Sequence, residues 1–94
     1  MIHLCVLLWP HQGAGAALAE YEDKVLELLG AHDARVLQRA RTDGTNGAPL
    51  EIHVLEFPSQ LALDDYLADG RRLALAGARE AAIARTEVLP VALV

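Results

Sequence analysis

The eleven residues Leu50 to Gln60, LEIHVLEFPSQ, decide how this chain folds. Leu50, Ile52, Val54, Leu55 and Phe57 are strand formers, and Pro58 followed by Ser59 ends the run at a point where Ser59 can cap a helix. Within that strand stand Glu51, His53 and Glu56, polar groups that a small sheet must either expose or satisfy. Working outward, the loop Thr42–Pro49 (TDGTNGAP) is rich in Gly, Asn and Asp. It joins DARVLQRAR (33–41) to the 50–57 strand as a hairpin with a long loop. Residues 2–9, IHLCVLLW, are almost continuously apolar and stop at Pro10, as a strand covered on both faces does.

Between these lies a helix from Ala14 to Leu29, with Leu18, Tyr21, Val25, Leu28 and Leu29 at helical spacing and Gly30 as its expected cap. After Ser59 the spacing predicts a helix over 60–68 and a second piece over 71–82, broken by Gly70. RTEVLPVALV (85–94) is the last strand, where Pro90 requires an edge, a bulge or a non-donating position. The order is β-α-β-β-α-β. That is the α+β, ferredoxin-like arrangement: a four-stranded antiparallel sheet with helices on one face and the second helix broken.

Residues 1–94 have room for a single domain. A net charge of −5 leaves no basic surface for nucleic acid. The one cysteine, Cys5, excludes an internal disulfide, and His3, His11, His32 and His53 lack metal-ligand spacing, so neither metal nor cofactor is expected. The apolar run at 2–9 is too short to span a bilayer and has no basic flank. The expected setting is therefore cytoplasmic, without a membrane partner.

Alternation divides the strands into Ile2, Leu4, Val6, Leu8 with Ile52, Val54, Glu56, and His3, Cys5, Leu7, Trp9 with Glu51, His53, Leu55, Phe57. The first, more aliphatic set is expected under the helices. The second shares a face with Arg35, Leu37, Arg39 and Arg41. Since neither face is plainly solvated, a second copy is expected to cover the open one, making a homodimer.

Val54–Ser59 (VLEFPS), followed by YLADGRRLALAGAR, resembles the DUF1330 family of dimeric α/β-barrel proteins. In that family a strand ending Glu-Phe-Pro-Ser leads into a helix. Tyr66 and Arg79 match its later aromatic and arginine, while Ala68–Arg72 departs from its usual segment. The resemblance implies two sheets pairing into one barrel, and no assigned chemistry. The wider superfamily includes cofactor-free monooxygenases and isomerases.

Two functional readings are open. In the first the protein is an enzyme that abstracts a proton from a small hydrophobic or aromatic substrate, with His53 as base. His3 and Trp9 line the site and Arg39 holds an oxyanion. In the second it is a non-catalytic ligand-binding or accessory dimer, in which His53 is satisfied by a carbonyl or a glutamate. Glu56 is expected under the helices, either paired with Arg79 or Arg72, or acting as acid or base in a cleft that Tyr21 and Tyr66 would line.

Overall fold

The computed structural model describes all residues, 1–94. It contains β1 (Ile2–Pro10), α1 (Gly15–Leu26), a 3-10 turn (Glu27–His32), β2 (Arg35–Arg41) and β3 (Glu51–Phe57). Then come α2 (Gln60–Leu67), α3 (Gly70–Leu73), α4 (Ala76–Ala82) and β4 (Ile83–Val91). The sheet order β2-β3-β1-β4, antiparallel throughout, is the ferredoxin-like one. β4 is an edge strand, which is how Pro90 is tolerated. The molecule measures 35 × 34 × 16 Å: one sheet, one helical layer, and a bare sheet face opposite. No helix is long and apolar enough to cross a membrane.

Local chemistry sets most element ends. The Ser59 hydroxyl accepts from the Ala62 amide at 3.1 Å and caps α2. Asp69 caps α3 by accepting from the Arg71 amide at 2.8 Å. The expected second piece is itself divided in two, α3 ending at Leu73 and α4 starting at Ala76. Gly30 does not end the first helix. The chain tightens into the 3-10 turn, and Asp33 takes the left-handed conformation (φ 56°), its amide donating to the carbonyls of Gly30 and Leu29. The Thr42–Leu50 loop closes through the Thr42 amide on the Leu50 carbonyl and the Thr42 hydroxyl on the Pro49 carbonyl.

The faces of β3 are reversed from the sequence expectation. β1 and β3 pair as Leu4↔Leu55, Val6↔His53 and Leu8↔Glu51, so Glu51, His53, Leu55 and Phe57 lie beneath the helices. The reason is volume. Phe57 is wholly buried and Leu55 nearly so, packed with Leu4, Leu18, Tyr21 and Tyr66, and nothing in Ile52, Val54 and Glu56 could replace that burial. Because side chains alternate strictly, Glu51 and His53 go in with them, while Glu56 comes out onto the bare face.

β2 adds a second reversal. Val36 pairs with Leu55 but Gln38 with Val54, so Leu37 is an extra, bulged residue. Beyond it the alternation is rephased, placing Arg39 opposite His53 and Arg41 opposite Glu51, both on the helix side.

Candidate functional site

Between the sheet and the helices lies a cavity of about 360 Å³. Leu4, Val6, Leu55 and Phe57 form its floor, and Tyr21, Val25, Leu63 and Tyr66 its roof. Half-exposed Val88 on β4 and Leu67 on α2 also line it. Such a space, mostly apolar with a few converging polar groups, has the character of a small-molecule site.

Its polar end is built on Glu51. This carboxylate is fully buried and holds four hydrogen bonds: Arg39 Nε at 2.8 Å, Arg39 Nη2 at 3.1 Å, Arg41 Nε at 2.7 Å and His53 Nε2 at 2.8 Å. Burial opposes its charge, but the bonds from Arg39, His53 and Arg41 outweigh it and hold the carboxyl at about 2. An ionised carboxylate only accepts, so Nε2 of His53 carries the hydrogen and Nδ1 the lone pair. Burial pulls the imidazole below its ordinary value against the pull of Glu51, which keeps it neutral at pH 7.

Nδ1 faces Glu22 Oε2 at 3.9 Å, beyond hydrogen-bonding distance. Glu22 occupies the buried stripe of α1 with Leu18, Tyr21 and Val25. Burial, then the nearby charge of Glu51, push its carboxyl up to about 7, against Arg39, Arg79 and Arg72. The cavity thus holds a neutral imidazole and a carboxyl that still carries its proton just below neutrality. Their values are displaced in opposite directions, the pattern that separates a base from an acid.

Glu22 gives a stability prediction of definite sign. The folded carboxyl keeps a proton that the unfolded one, at an ordinary 4.5, has already lost. Stability therefore falls as pH rises from about 4.5 to about 7 and stays reduced above, by roughly 3 kcal/mol. Glu22→Gln removes that loss. Thermal melts should show the variant well above the parent at pH 8 and close to it at pH 4.5. An equal gap at both values would show an ordinarily titrating Glu22.

The structure divides the candidate residues into three groups. His53, Tyr21 and Tyr66 line the cavity. The Tyr66 hydroxyl donates to the Val25 carbonyl at 3.3 Å, and burial pushes it up to about 12. Tyr21 is likewise raised by burial, with Arg72 opposing. Arg39 stands behind the site. It clamps Glu51 and also donates to Asp23 at 2.7 Å and to the Ala19 carbonyl at 3.2 Å, so its guanidinium is engaged by protein.

His3, Trp9 and Glu56 lie on the opposite, bare face and do not meet His53. His3 pairs with Glu56 at 2.9 Å, and Glu56 accepts from Arg35 Nε at 2.9 Å, rather than from Arg72 or Arg79. The bonds from His3 and Arg35 lower the Glu56 carboxyl. Trp9 donates to the Gly47 carbonyl at 2.9 Å beneath the Arg85 guanidinium, 4.4 Å from its ring centre.

Glu22 and Thr86 join the site without a functional expectation from sequence, and Glu51 with only that of a polar strand residue to be satisfied. The signal for two of them was present: Glu51-x-His53 shares one strand face, and Glu22 sits at i+4 from Leu18 and three before Val25.

No family model matches the chain, and no curated relative matches it. Solved structures do. A NIPSNAP domain protein from Burkholderia xenovorans superposes with a TM-score of 0.78 at 13% identity, over 100% of this chain and 95% of that one. A NIPSNAP family protein from Agrobacterium tumefaciens gives 0.77 at 18% identity, over 97% and 86%. An antibiotic biosynthesis monooxygenase gives 0.73 at 15% identity, over 100% and 99%. At these identities the likeness establishes the ferredoxin-like α+β fold alone, and not an activity.

Proposed function

We propose that this protein is a cofactor-independent enzyme that removes a proton from a small hydrophobic or aromatic substrate. The observation that carries the reading is the line Glu51–His53–Glu22 at one end of the apolar cavity. Nδ1 of His53 takes the proton, and the Glu51 carboxylate on Nε2 stabilises the imidazolium that results. Protonated Glu22 donates a hydrogen bond to the oxygen on which the charge develops. Return of the proton to another carbon gives an isomerase. Where the carbanion carries a second hydrogen, its electron pair passes to dioxygen and, with a proton, gives a hydroperoxide; loss of water from this leaves a carbonyl, one oxygen kept and one released, as in a monooxygenase, the activity for which one structural neighbour is named.

The test is solvent deuterium exchange, followed by NMR, into a panel of phenols, 1,3-dicarbonyls and aromatic ketones in D₂O. Protein-dependent exchange in at least one supports the reading. Binding without exchange across the panel would make the cavity a binding site only.

We also infer that two copies pair through their bare sheet faces into one barrel. Cys5, Leu7, Ile52, Val54, Leu89 and Val91 make that face apolar, with Leu89 and Val91 well exposed in one chain. Light scattering at micromolar concentration should give twice the chain's 10.1 kDa, and a mass of one chain would end this inference. The DUF1330 kinship is proposed on the same Glu56–Ser59 segment, where Phe57 fills the core and Ser59 caps α2. A lone free thiol at Cys5 is compatible with a cytoplasmic setting.

A further inference from the structure

Most of the cations of this protein are paired. Of its eight lysines and arginines, Lys24, Arg35, Arg39, Arg41, Arg71 and Arg85 each pair with a carboxylate. Arg72 and Arg79 pair with none, and both line the cavity.

Arg72, on α3, has its Nε buried without any hydrogen-bond partner. Its Nη1 reaches the Leu67 carbonyl at the long distance of 3.5 Å, and its guanidinium lies 5.4 Å from the Tyr66 ring centre. Arg79, on α4, donates from Nη2 to the Thr86 hydroxyl at 3.3 Å. A guanidinium carries five N–H donors in a planar fork suited to an oxyanion. Leaving a buried donor unmet is costly unless something meets it.

From this the geometry points to an anion-binding end of the cavity, made by Arg72 and Arg79, that takes the carboxylate of a small apolar or aromatic monocarboxylic acid. This deepens the proposed function and rests on its reading of the cavity as the site. Two observations select that class. The walls are apolar, since twelve of seventeen lining residues are hydrophobic, which fits a hydrocarbon body. The volume of about 360 Å³ is at the small end for ligand sites.

Isothermal titration of the full chain at pH 7 with benzoate, phenylacetate, 1-naphthoate and octanoate, each against its primary amide, tests this. At least one carboxylate should bind about tenfold or more tighter than its amide, as charge-assisted bonds are lost with the charge. Arg72→Met and Arg79→Met should each erase that preference while leaving amide binding in place, and Lys24→Met, on the exposed face of α1, should change neither. Amides equal to their acids, no binding by any of the four acids, or tighter binding by phenyl phosphate would each overturn the assignment.

The comparison of acid with amide uses the parent protein, so it holds even where a variant fails to fold. Deuterium exchange separates the two proposals. Carboxylate preference without exchange leaves the ligand class standing and removes the enzyme. Exchange into neutral substrates without carboxylate preference does the reverse.

Discussion

His53→Gln should lower the rate of solvent deuterium exchange into a substrate by about 10²–10⁴-fold, the usual contribution of a positioned general base. Glutamine can still donate an amide hydrogen to Glu51, whose oxygen lies 2.8 Å from Nε2, so the clamp of Arg39 and Arg41 on that carboxylate stays closed. What is lost is the lone pair of Nδ1. A loss of that size in a variant that melts near the parent assigns the base; a rate within a few-fold of the parent removes His53 from the chemistry. The pH profile gives a second check. On the acid side the rate should fall as His53 is protonated, below the ordinary 6.5 because burial disfavours the cation. On the alkaline side it should fall near 7, as Glu22 loses the proton it donates. The two groups interact, so these limbs belong to the pair. Glu22→Gln, which keeps a donor that does not titrate, should flatten the alkaline limb.

Glu51→Ala should destabilise the fold by about 3–5 kcal/mol, the cost of breaking a buried ionic network by removing one partner. Arg39 would lose two hydrogen bonds, and Arg41 and His53 one each, and Arg39 is mostly buried where it stands. In a domain of this size each kcal/mol moves Tm by about 4–8 °C, so the melting point should fall by at least about 12 °C at pH 7. The sign of the pH dependence is set by the depressed carboxyl. The Glu51 contribution is complete above the ordinary 4.5 and is lost as pH falls toward about 2. The gap between parent and variant should therefore narrow from pH 5 to pH 2. A loss under about 1 kcal/mol at pH 7 would mean that Arg39 and Arg41 do not depend on this carboxylate.

Much of the architecture was legible because it rests on local, periodic chemistry. The strand at 50–57, its stop at Pro58, the Ser59 cap and the nine-residue β1 announce themselves through alternation and capping, which act over a few residues. The end of the first helix was not legible. Gly30 is the better cap by intrinsic preference, yet packing of Leu29, 2% exposed, carries the turn on to Asp33. The break after α2 was expected at Gly70, but the division of residues 70–82 into α3 and α4 was not.

The site was legible in its residue types and not in its placement. His53, Tyr21 and Tyr66 belong to one cavity, but His3, Trp9 and Glu56 stand on the far side of the sheet. Two decisions caused this, and neither is local. The first was parity on β3, where Phe57 and Leu55 outweighed Ile52 and Val54 for the interior and took Glu51 and His53 with them. The second was the bulge at Leu37, one unpaired residue that turned Arg39 and Arg41 toward Glu51.

The sequence by itself determined the elements, their order and hence the four-stranded sheet with one bare face, because helix and strand periods are written in consecutive residues. Only the tertiary structure decided which strand face is inside. That choice depends on the summed volume and satisfaction of groups brought together from β1, β2, β3 and the helices. The same choice left Arg72 and Arg79 without a carboxylate partner beside the cavity.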